Sequence, residues 1–261
     1  MIHAMSLSPA IEINQLRTQF GKMVIHENLN MSIYPQEIVA IIGGSGTGKS
    51  TVLREIILLE KPVSGSIKVL GREVLGLSDR QALWLRRECG MMFQNGALFS
   101  SLTVAENIAI PLQEHTQLSK TTIAKLVAYK IALVGLPAHA GNKYPSQLSG
   151  GMIKRAAVAR ALALDPKILF LDEPTAGLDP VGADALDDMV LQLRELLGLT
   201  IVIVTHDLDT LWKVTDKIAV LADKKVLAVE PIRKLQEIDH PWLKEYFHGA
   251  RGRVTAHAQT A

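Results

Sequence analysis

A glycine-rich segment after a short apolar run constrains this chain more than any other feature. Residues 43–50 read GGSGTGKS and fit the pattern G-x-x-x-x-G-K-[ST] without a mismatch. The run Ile38–Ile42 before it is rich in β-branched residues and suits a strand buried on both faces. The stretch 50–59 after it lacks glycine and proline and can form a helix. The sequence therefore predicts the order strand, glycine turn and helix, within an α/β fold.

This glycine turn has the chemistry of a phosphate-binding loop. Glycines let successive backbone N–H groups turn inward around phosphate oxygens, and the N-terminus of the following helix adds its positive end. We expect the Lys49 ammonium to reach the β- and γ-phosphates and the Ser50 hydroxyl to ligate Mg²⁺. A chance glycine-rich turn is the alternative, which the flanking strand and helix disfavour. The predicted phosphate-binding residues are Gly43, Gly44, Ser45, Gly46, Thr47, Gly48, Lys49, Ser50 and Thr51.

An acidic pair follows a second apolar run. Asp172 and Glu173 come directly after Ile168–Leu171, so they are expected at the carboxyl end of a strand, beside the phosphate loop of an open α/β sheet. We expect Asp172 to hold Mg²⁺ through water and Glu173 to polarise the attacking water. A solvated acidic turn is the alternative. It fits poorly because the whole block DEPTAGLDP occupies residues 172–180.

A second glycine-containing turn lies twenty residues before that run. Residues 148–152 read LSGGM, in which Ser149 is a good N-cap and Gly150 and Gly151 begin a predicted helix that extends to Leu164. Bare N–H groups at this helix start would point outward at an anion. The sequence thus predicts two phosphate-binding turns.

Composition bounds the architecture. With 261 residues, 48% of them hydrophobic, the chain can bury one α/β core with a helical appendage, or two small domains. A predominantly helical pattern from Thr103 to about Leu164 interrupts the β/α alternation, and Ser78 is expected to cap a polar helix through Arg87. The single cysteine, Cys89, cannot form an internal disulfide and is predicted to be a buried thiol.

Charge and hydropathy argue against two functional classes. The formal net charge is +2, no Lys/Arg run exceeds two residues, and aromatics make up 5%, so nothing favours nucleic acid as a partner. No secretory signal is expected at the start, and no apolar stretch approaches the roughly 20 residues that cross a bilayer. Work at a membrane would need another chain.

Together, these motifs resemble the ATP-binding cassette family from about Ile11 to Val229. The resemblance implies a P-loop NTPase, RecA-like parallel-sheet core with an N-terminal antiparallel β subdomain and an inserted α-helical subdomain. It implies one ATPase domain over 9–248, with a core at 9–95 and 165–230, helices at about 96–164 and C-terminal helices at 231–248. The tail 249–261 is predicted to be disordered, because it has little apolar content.

The resemblance also implies a division of labour between two copies. ATP and Mg²⁺ are the expected cofactors, and the expected partner is a second identical subunit, arranged head to tail. Ser149, Gly150 and Gly151 of one subunit would contact the γ-phosphate held by the phosphate loop of the other. The implied catalytic residues are Glu173, His206 and Lys49.

Four further residues match motif positions of the family. Gln94 matches the Q-loop glutamine, which approaches Mg²⁺ and couples the nucleotide to the membrane partner, and His206 matches the switch histidine at the γ-phosphate. Asp179 resembles the D-loop aspartate that crosses the dimer interface, and Phe20 stands where an aromatic ring stacks on adenine. The alternatives are a surface glutamine for Gln94, a structural histidine for His206 and a core residue for Phe20.

One segment resembles a particular subfamily. Residues 92–104, MFQNGALFSSLTV, and 110–116, IPLQEHT, are similar to the ATP-binding subunits of Mce-type phospholipid transporters. This resemblance implies an integral membrane permease, a periplasmic Mce-type substrate-binding subunit and a location on the cytoplasmic face of the bacterial inner membrane.

Other members of the family stay open as alternatives. A cassette that serves an amino acid, metal or lipoprotein transporter would share the catalytic residues and differ around Asn95–Gln117. A member that acts on ribosomes or DNA belongs to another class, which usually needs two cassettes or a long coiled-coil insertion. This chain has one phosphate loop and no sustained heptads, so the transport class is favoured.

Overall fold

The computed structural model describes residues 8–248, so the predicted disorder of 249–261 lies outside the described residues. The strands are β1 Ile11–Phe20, β2 Met23–Ile33, β3 Ile38–Gly43, β4 Ser64–Val69, β5 Arg72–Glu73, β6 Cys89–Met92, β7 Ile168–Asp172, β8 Thr200–Val204, β9 Lys217–Ala222 and β10 Lys225–Glu230. The helices are α1 Lys49–Ile56, α2 Leu83–Glu88, α3 Val104–His115, α4 Lys120–Leu133, α5 Gly150–Ala161, α6 Pro180–Leu197, α7 Leu208–Val214, α8 Ile232–Leu235 and α9 Pro241–His248. Short 3₁₀ turns occupy Ala138–Asn142 and Pro145–Gln147.

The described residues form two compact units. The first comprises the chain up to Gly76 and from Val204 onward, and the second is Leu77–Ile203. In the first unit, an antiparallel sheet has the strand order β2-β1-β4-β5. Its pairing sets Ile11 opposite Ile33 and Thr18 opposite His26. This sheet is the antiparallel β part that the family resemblance predicted.

The first unit also contains strands β10-β9-β3 in that order. β3 runs parallel to β9, while β10 is antiparallel to β9. All five residues Ile38–Ile42 are fully buried, because apolar side chains cover both faces of a strand of this kind. Helices α7, α8 and α9 contribute Leu211, Leu235, Leu243 and Phe247 to the core beside these strands. The glycine-rich loop leaves the carboxyl end of β3.

The second unit joins a parallel sheet to a group of helices. Its strand order is β8-β7-β6, and β6 pairs in parallel with β7, every residue of which is buried. Helices α3, α4 and α5 pack on one another, and α5 also packs on β6. A capping box starts α3: Glu106 Oε2 accepts from the Thr103 backbone N–H at 2.7 Å, and the Thr103 hydroxyl accepts from the Glu106 N–H. The fold class is therefore the predicted α/β arrangement with inserted helices.

The predicted helix from Ser78 to Arg87 is wrong over its first half. Ser78 does cap a single turn, in which Gln81 Oε1 accepts the Ser78 N–H and the Ala82 N–H donates to the Ser78 carbonyl oxygen, but this turn does not continue as an α-helix, and α2 begins only at Leu83. At the start of β6, the pKa of the Cys89 thiol is raised by burial, although the residue retains some exposure.

Among residues 8–248, none of the helices has the length and apolar character needed to cross a membrane.

Candidate active site

The phosphate loop needs glycine at two positions, because neighbouring atoms leave no room there for a side chain. A Cβ atom on Gly43 would lie 2.5 Å from the Leu221 carbonyl oxygen on β9. Gly48 has a φ of +86° and is the N-cap of α1, and a Cβ atom there would lie 2.4 Å from His26 Nε2. Both contacts are shorter than van der Waals separation, so a side chain at either position would displace the loop or its support.

Positive charge and helix geometry converge on this loop. The Lys49 ammonium donates to the carbonyl oxygens of Gly43 and Gly44, each at 2.9 Å, and the Thr47 hydroxyl donates to the Gly44 oxygen at 2.9 Å. α1 begins at Lys49 without a side-chain cap, and the predicted residues Ser50 and Thr51 lie partly buried in its first turn. An ammonium group beside an uncapped helix start is suited to bind an anion.

Phe20 and His206, the other predicted residues of the first unit, are both exposed. Phe20 ends β1 opposite Met23 and is 44% exposed, which excludes the alternative of a core residue. His206 follows β8, and its backbone carbonyl accepts from the Tyr246 hydroxyl at 3.2 Å. Tyr246 stacks on Trp242, with 4.8 Å between ring centroids. Helix α9 therefore supports the segment that carries His206.

The acidic pair lies at the end of β7 in the second unit. Asp172 is the last residue of the strand and is 4% exposed. Glu173 follows with a φ of +51°, in the left-handed region that non-glycine residues seldom occupy. Such backbone strain concentrates at functional sites, where the surroundings hold it in place. Contacts with neighbouring groups must therefore hold the Glu173 backbone.

Lys154 on α5 makes these contacts, and sequence reasoning missed it. Its ammonium donates to the backbone oxygen of Glu173 at 3.0 Å and to the backbone oxygen of Gln94. Burial lowers the pKa of Lys154, and the nearby charges of Glu173 and Asp172 act in the opposite direction. Lys154 thus joins three predicted motifs: the LSGGM helix, the Q-loop and the acidic pair. The sequence feature that could have pointed to Lys154 is its position five residues after Ser149. Sequence alone does not identify the acceptors of its hydrogen bonds.

The LSGGM turn is built as a helix start that faces outward. The Ser149 hydroxyl accepts the Met152 N–H at 3.3 Å and caps α5, whose first residues are Gly150 and Gly151. Space for a Cβ atom on Gly151 is open, with nothing within 4 Å. Asp179 is exposed and caps α6, since its Oδ1 accepts the Gly182 N–H at 2.8 Å.

Gln94 lies two residues beyond β6 and is exposed, while its backbone oxygen is held by Lys154. The structure thus brings the backbones of Gln94 and Glu173 together through one ammonium group. In the first unit it brings the phosphate loop together with Lys49. The functional roles of all these side chains stay predictions.

Comparison with known proteins identifies the class. The family model described as "ABC transporter" matches residues 26–176, so this chain belongs to the ABC transporter family. Cassettes of this family bind and hydrolyse ATP, dimerise and work with membrane permeases, and this chain is accordingly an ATPase.

Among relatives, the intermembrane phospholipid transport system ATP-binding protein MlaF of Haemophilus influenzae is 40% identical over 218 residues, which cover 84% of this chain and 82% of that protein. The probable ribonucleotide transport ATP-binding protein mkl of Mycobacterium tuberculosis is 38% identical over 242 residues, 93% of this chain and 67% of that protein. Among solved structures, the dimeric ATP-binding cassette MJ0796 bound to ADP and Pi matches with a TM-score of 0.78 and 32% identity, over 85% of this chain and 98% of that one.

We predict that Lys154 holds Glu173 in its working geometry. The substitution Lys154→Met keeps a long apolar stem and removes the donor, so we expect kcat for ATP hydrolysis to fall about tenfold, while ATP affinity stays within about twofold. Lys125→Met, on the exposed face of α4, is the matched control. Steady-state phosphate release and equilibrium nucleotide binding measure the two quantities. An unchanged kcat in Lys154→Met would contradict this role.

Proposed function

We propose that this chain supplies the energy for phospholipid transport through a separate integral membrane permease of an Mce-type system. The observation that carries the proposal is the match to MlaF, which extends over more than four fifths of both chains. The match to mkl covers 93% of this chain and 67% of that protein. We further propose a peripheral position at the cytoplasmic face of the bacterial inner membrane and a periplasmic Mce-type subunit as a partner.

The phosphate loop fits the triphosphate of ATP. Its glycines allow close approach of the backbone, and Lys49 and the uncapped start of α1 supply positive charge. We propose that Gly43–Thr51 hold the phosphates and that exposed Phe20 stacks on adenine, as aromatic rings do. Lys49 and His206 would neutralise the charge that develops on the transferred phosphoryl group.

The residues proposed for Mg²⁺ also suit that ion. Mg²⁺ in nucleotide sites is held by one or two carboxylates together with substrate phosphates and water. Ser50, Gln94 and Asp172 supply one hydroxyl, one amide and one carboxylate, and no cluster of three or more His, Cys, Asp or Glu suited to a metal occurs within residues 8–248. Mg²⁺ would supply charge neutralisation at the phosphates. Glu173 would orient and polarise the attacking water.

The outward direction of the LSGGM turn supports a homodimer. Ser149 and the N–H groups of Gly150 and Gly151 start α5 at an exposed surface, which suits an anion held by another molecule. We propose that they contact the ATP bound to a second copy, with Asp179 at the interface between copies. The solved structure of the cassette MJ0796 is dimeric, which supports this arrangement.

A groove in the second unit supports docking of a permease segment. Its cavity of about 410 Å³ lies among apolar and basic side chains, including Phe93, Phe99, Pro111, Arg86 and Arg160. Phe99 is 53% exposed, and Arg160 donates to the backbone oxygens of Ala97 and Gly96 at 2.7 and 2.9 Å. Six residues of the segment that resembles Mce-type systems line this groove, so part of that segment lies at the proposed docking surface: Phe93, Ala97, Phe99, Ile110, Pro111 and His115.

Transport of another solute is the second candidate, because mkl is named for ribonucleotide transport and is 38% identical. It would use the same ATPase site with a different permease.

Substitution of the proposed water-polarising residue gives a direct test of the hydrolysis site. Glu173→Gln keeps the shape of the side chain but removes the charge, so it should bind ATP, hydrolyse it at least about a hundredfold more slowly, and accumulate as an ATP-dependent dimer. Phosphate release and size-exclusion chromatography with ATP measure these outcomes. Glu195→Gln, on an exposed part of α6, is the control. Normal turnover in Glu173→Gln would refute the assignment.

The lipid assignment is tested by purifying the tagged chain from gently solubilised native membranes. We expect a permease, an Mce-type subunit and bound phospholipid to be recovered, as measured by mass spectrometry of proteins and lipids. Phe99→Glu, which places a charge in the proposed docking groove, should lose the permease. Recovery of a permease without an Mce-type subunit or phospholipid would favour the second candidate, and recovery of ribosomes or DNA would overturn transport itself.

A further inference from the structure

A row of buried polar side chains lies against the phosphate loop. His26 on β2 and Glu55 on α1 have fully buried side chains, and Thr18 on β1 lies between them. His26 Nε2 is 3.0 Å from the Thr47 carbonyl oxygen, and His26 Nδ1 is 2.9 Å from the Thr18 hydroxyl. The same hydroxyl is 2.8 and 3.1 Å from the two carboxyl oxygens of Glu55. The row therefore runs from the backbone of the phosphate loop to a buried acid in α1.

The positions of these side chains are set by the sheet and by one glycine. Thr18 and His26 are direct cross-strand partners in the antiparallel pair of β1 and β2, which brings their side chains together on one face. His26 reaches Thr47 because Gly48 has no side chain, since a Cβ there would lie 2.4 Å from His26 Nε2. Gly48 therefore also leaves the space in which the His26 ring packs against the loop.

The direction of the hydrogen bond to Thr47 is fixed by chemistry. A carbonyl oxygen can only accept, so His26 Nε2 must carry a proton and donate. If His26 is neutral, Nδ1 accepts from the Thr18 hydroxyl, which in turn accepts from a protonated Glu55. Burial raises the pKa of Glu55 to about 7 and lowers the pKa of His26, both of which favour this neutral arrangement. In the charged arrangement, Nδ1–H donates to Thr18 and Thr18 donates to the carboxylate. The two arrangements contain the same number of protons and differ in whether the mobile proton is on Glu55 or on His26. In both, Nε2–H donates to Thr47.

The bond to Thr47 determines where the next N–H group points. In a planar trans peptide the C=O and N–H bonds point in opposite directions. Because the Thr47 oxygen is held on the His26 side, the N–H of Gly48 is directed away from His26. Gly48 is also the N-cap residue of α1, so this peptide connects the loop to the helix start.

We propose that His26 is a positioning residue for ATP binding, which orients the peptide between Thr47 and Gly48 so that the Gly48 N–H is presented to the phosphates. Thr18 and Glu55 hold the histidine ring in the orientation that donates from Nε2. This inference rests on the proposed role of residues 43–50 in holding ATP.

Three variants and one control test the proposal in the full-length chain. His26→Leu removes the donor, and we expect the Kd for ATP to rise about tenfold, because the partly buried Thr47 carbonyl loses its partner and the peptide is free to rotate. His26→Gln, whose amide can donate, should recover part of the affinity. The double variant His26→Leu/Glu55→Leu replaces both buried polar groups and should unfold at a higher temperature than His26→Leu, yet bind ATP as weakly.

The measurements are calorimetric ATP titration and thermal unfolding of every variant. A purely structural role would make affinity return together with thermal stability in the double variant, and that result would overturn the proposal, as would an unchanged Kd in His26→Leu. If His26→Leu does not fold, the ATP affinities of the double variant and of His26→Gln test the proposal in its place.

Lys49→Ala is the control, and it should lose ATP binding. If it keeps ATP affinity within a few-fold, the proposed phosphate loop itself fails; if Lys49→Ala loses binding and the His26 variants do not, only the positioning role fails.

Discussion

The structure depends on one requirement, that the carbonyl oxygens of the phosphate loop are paired with protein donors. Lys49 donates to Gly43 and Gly44, and Thr47 also donates to Gly44. The Thr47 oxygen receives the His26 donor. Each paired carbonyl fixes the direction of the N–H in the same peptide, so pairing on one side of the loop presents donors on the other. Loop, helix α1 and the β1–β2 pair act together to meet this requirement.

The second proposed phosphate-binding turn presents its donors in a different way. The LSGGM turn is a capped helix start, in which Ser149 pairs the Met152 N–H and leaves Gly150 and Gly151 at the surface. Its helix is tied by Lys154 to the backbones of Gln94 and Glu173. A shift of α5 would therefore disturb the acid proposed to polarise water, and a shift of the Q-loop would disturb α5. This shared lysine gives a physical route by which a permease bound near Gln94 could influence hydrolysis.

Local rules predicted most of the fold. The glycine pattern predicted the turn after β3, and Thr103 and Ser149 marked the starts of α3 and α5, because capping depends on residues three positions apart. The same capping pattern at Ser78 and Gln81 closes only one turn, and α2 begins five residues later, at Leu83. For the site, motif spacing identified the residues but could not reveal Lys154 or the row of His26, Thr18 and Glu55. The contacts of His26 and Thr18 depend on the register of β1 and β2, and bulges within β1 shift that register. The contact of Lys154 depends on how α5 packs against a segment 60 residues away in the sequence.

The central claim is that the two phosphate-binding turns serve the same ATP from different subunits, and a mixing experiment tests it most directly. Lys49→Ala is expected to disable the proposed phosphate loop. Gly151→Asp places a negative charge at the LSGGM turn without a steric clash, since space there is open. Each variant alone should be inactive in ATP hydrolysis. In a mixed dimer one site carries both changes and the other carries neither, so the account predicts that combining the two inactive proteins restores hydrolysis. If the mixture stays as inactive as its components, the turns do not cooperate between subunits and the account is contradicted.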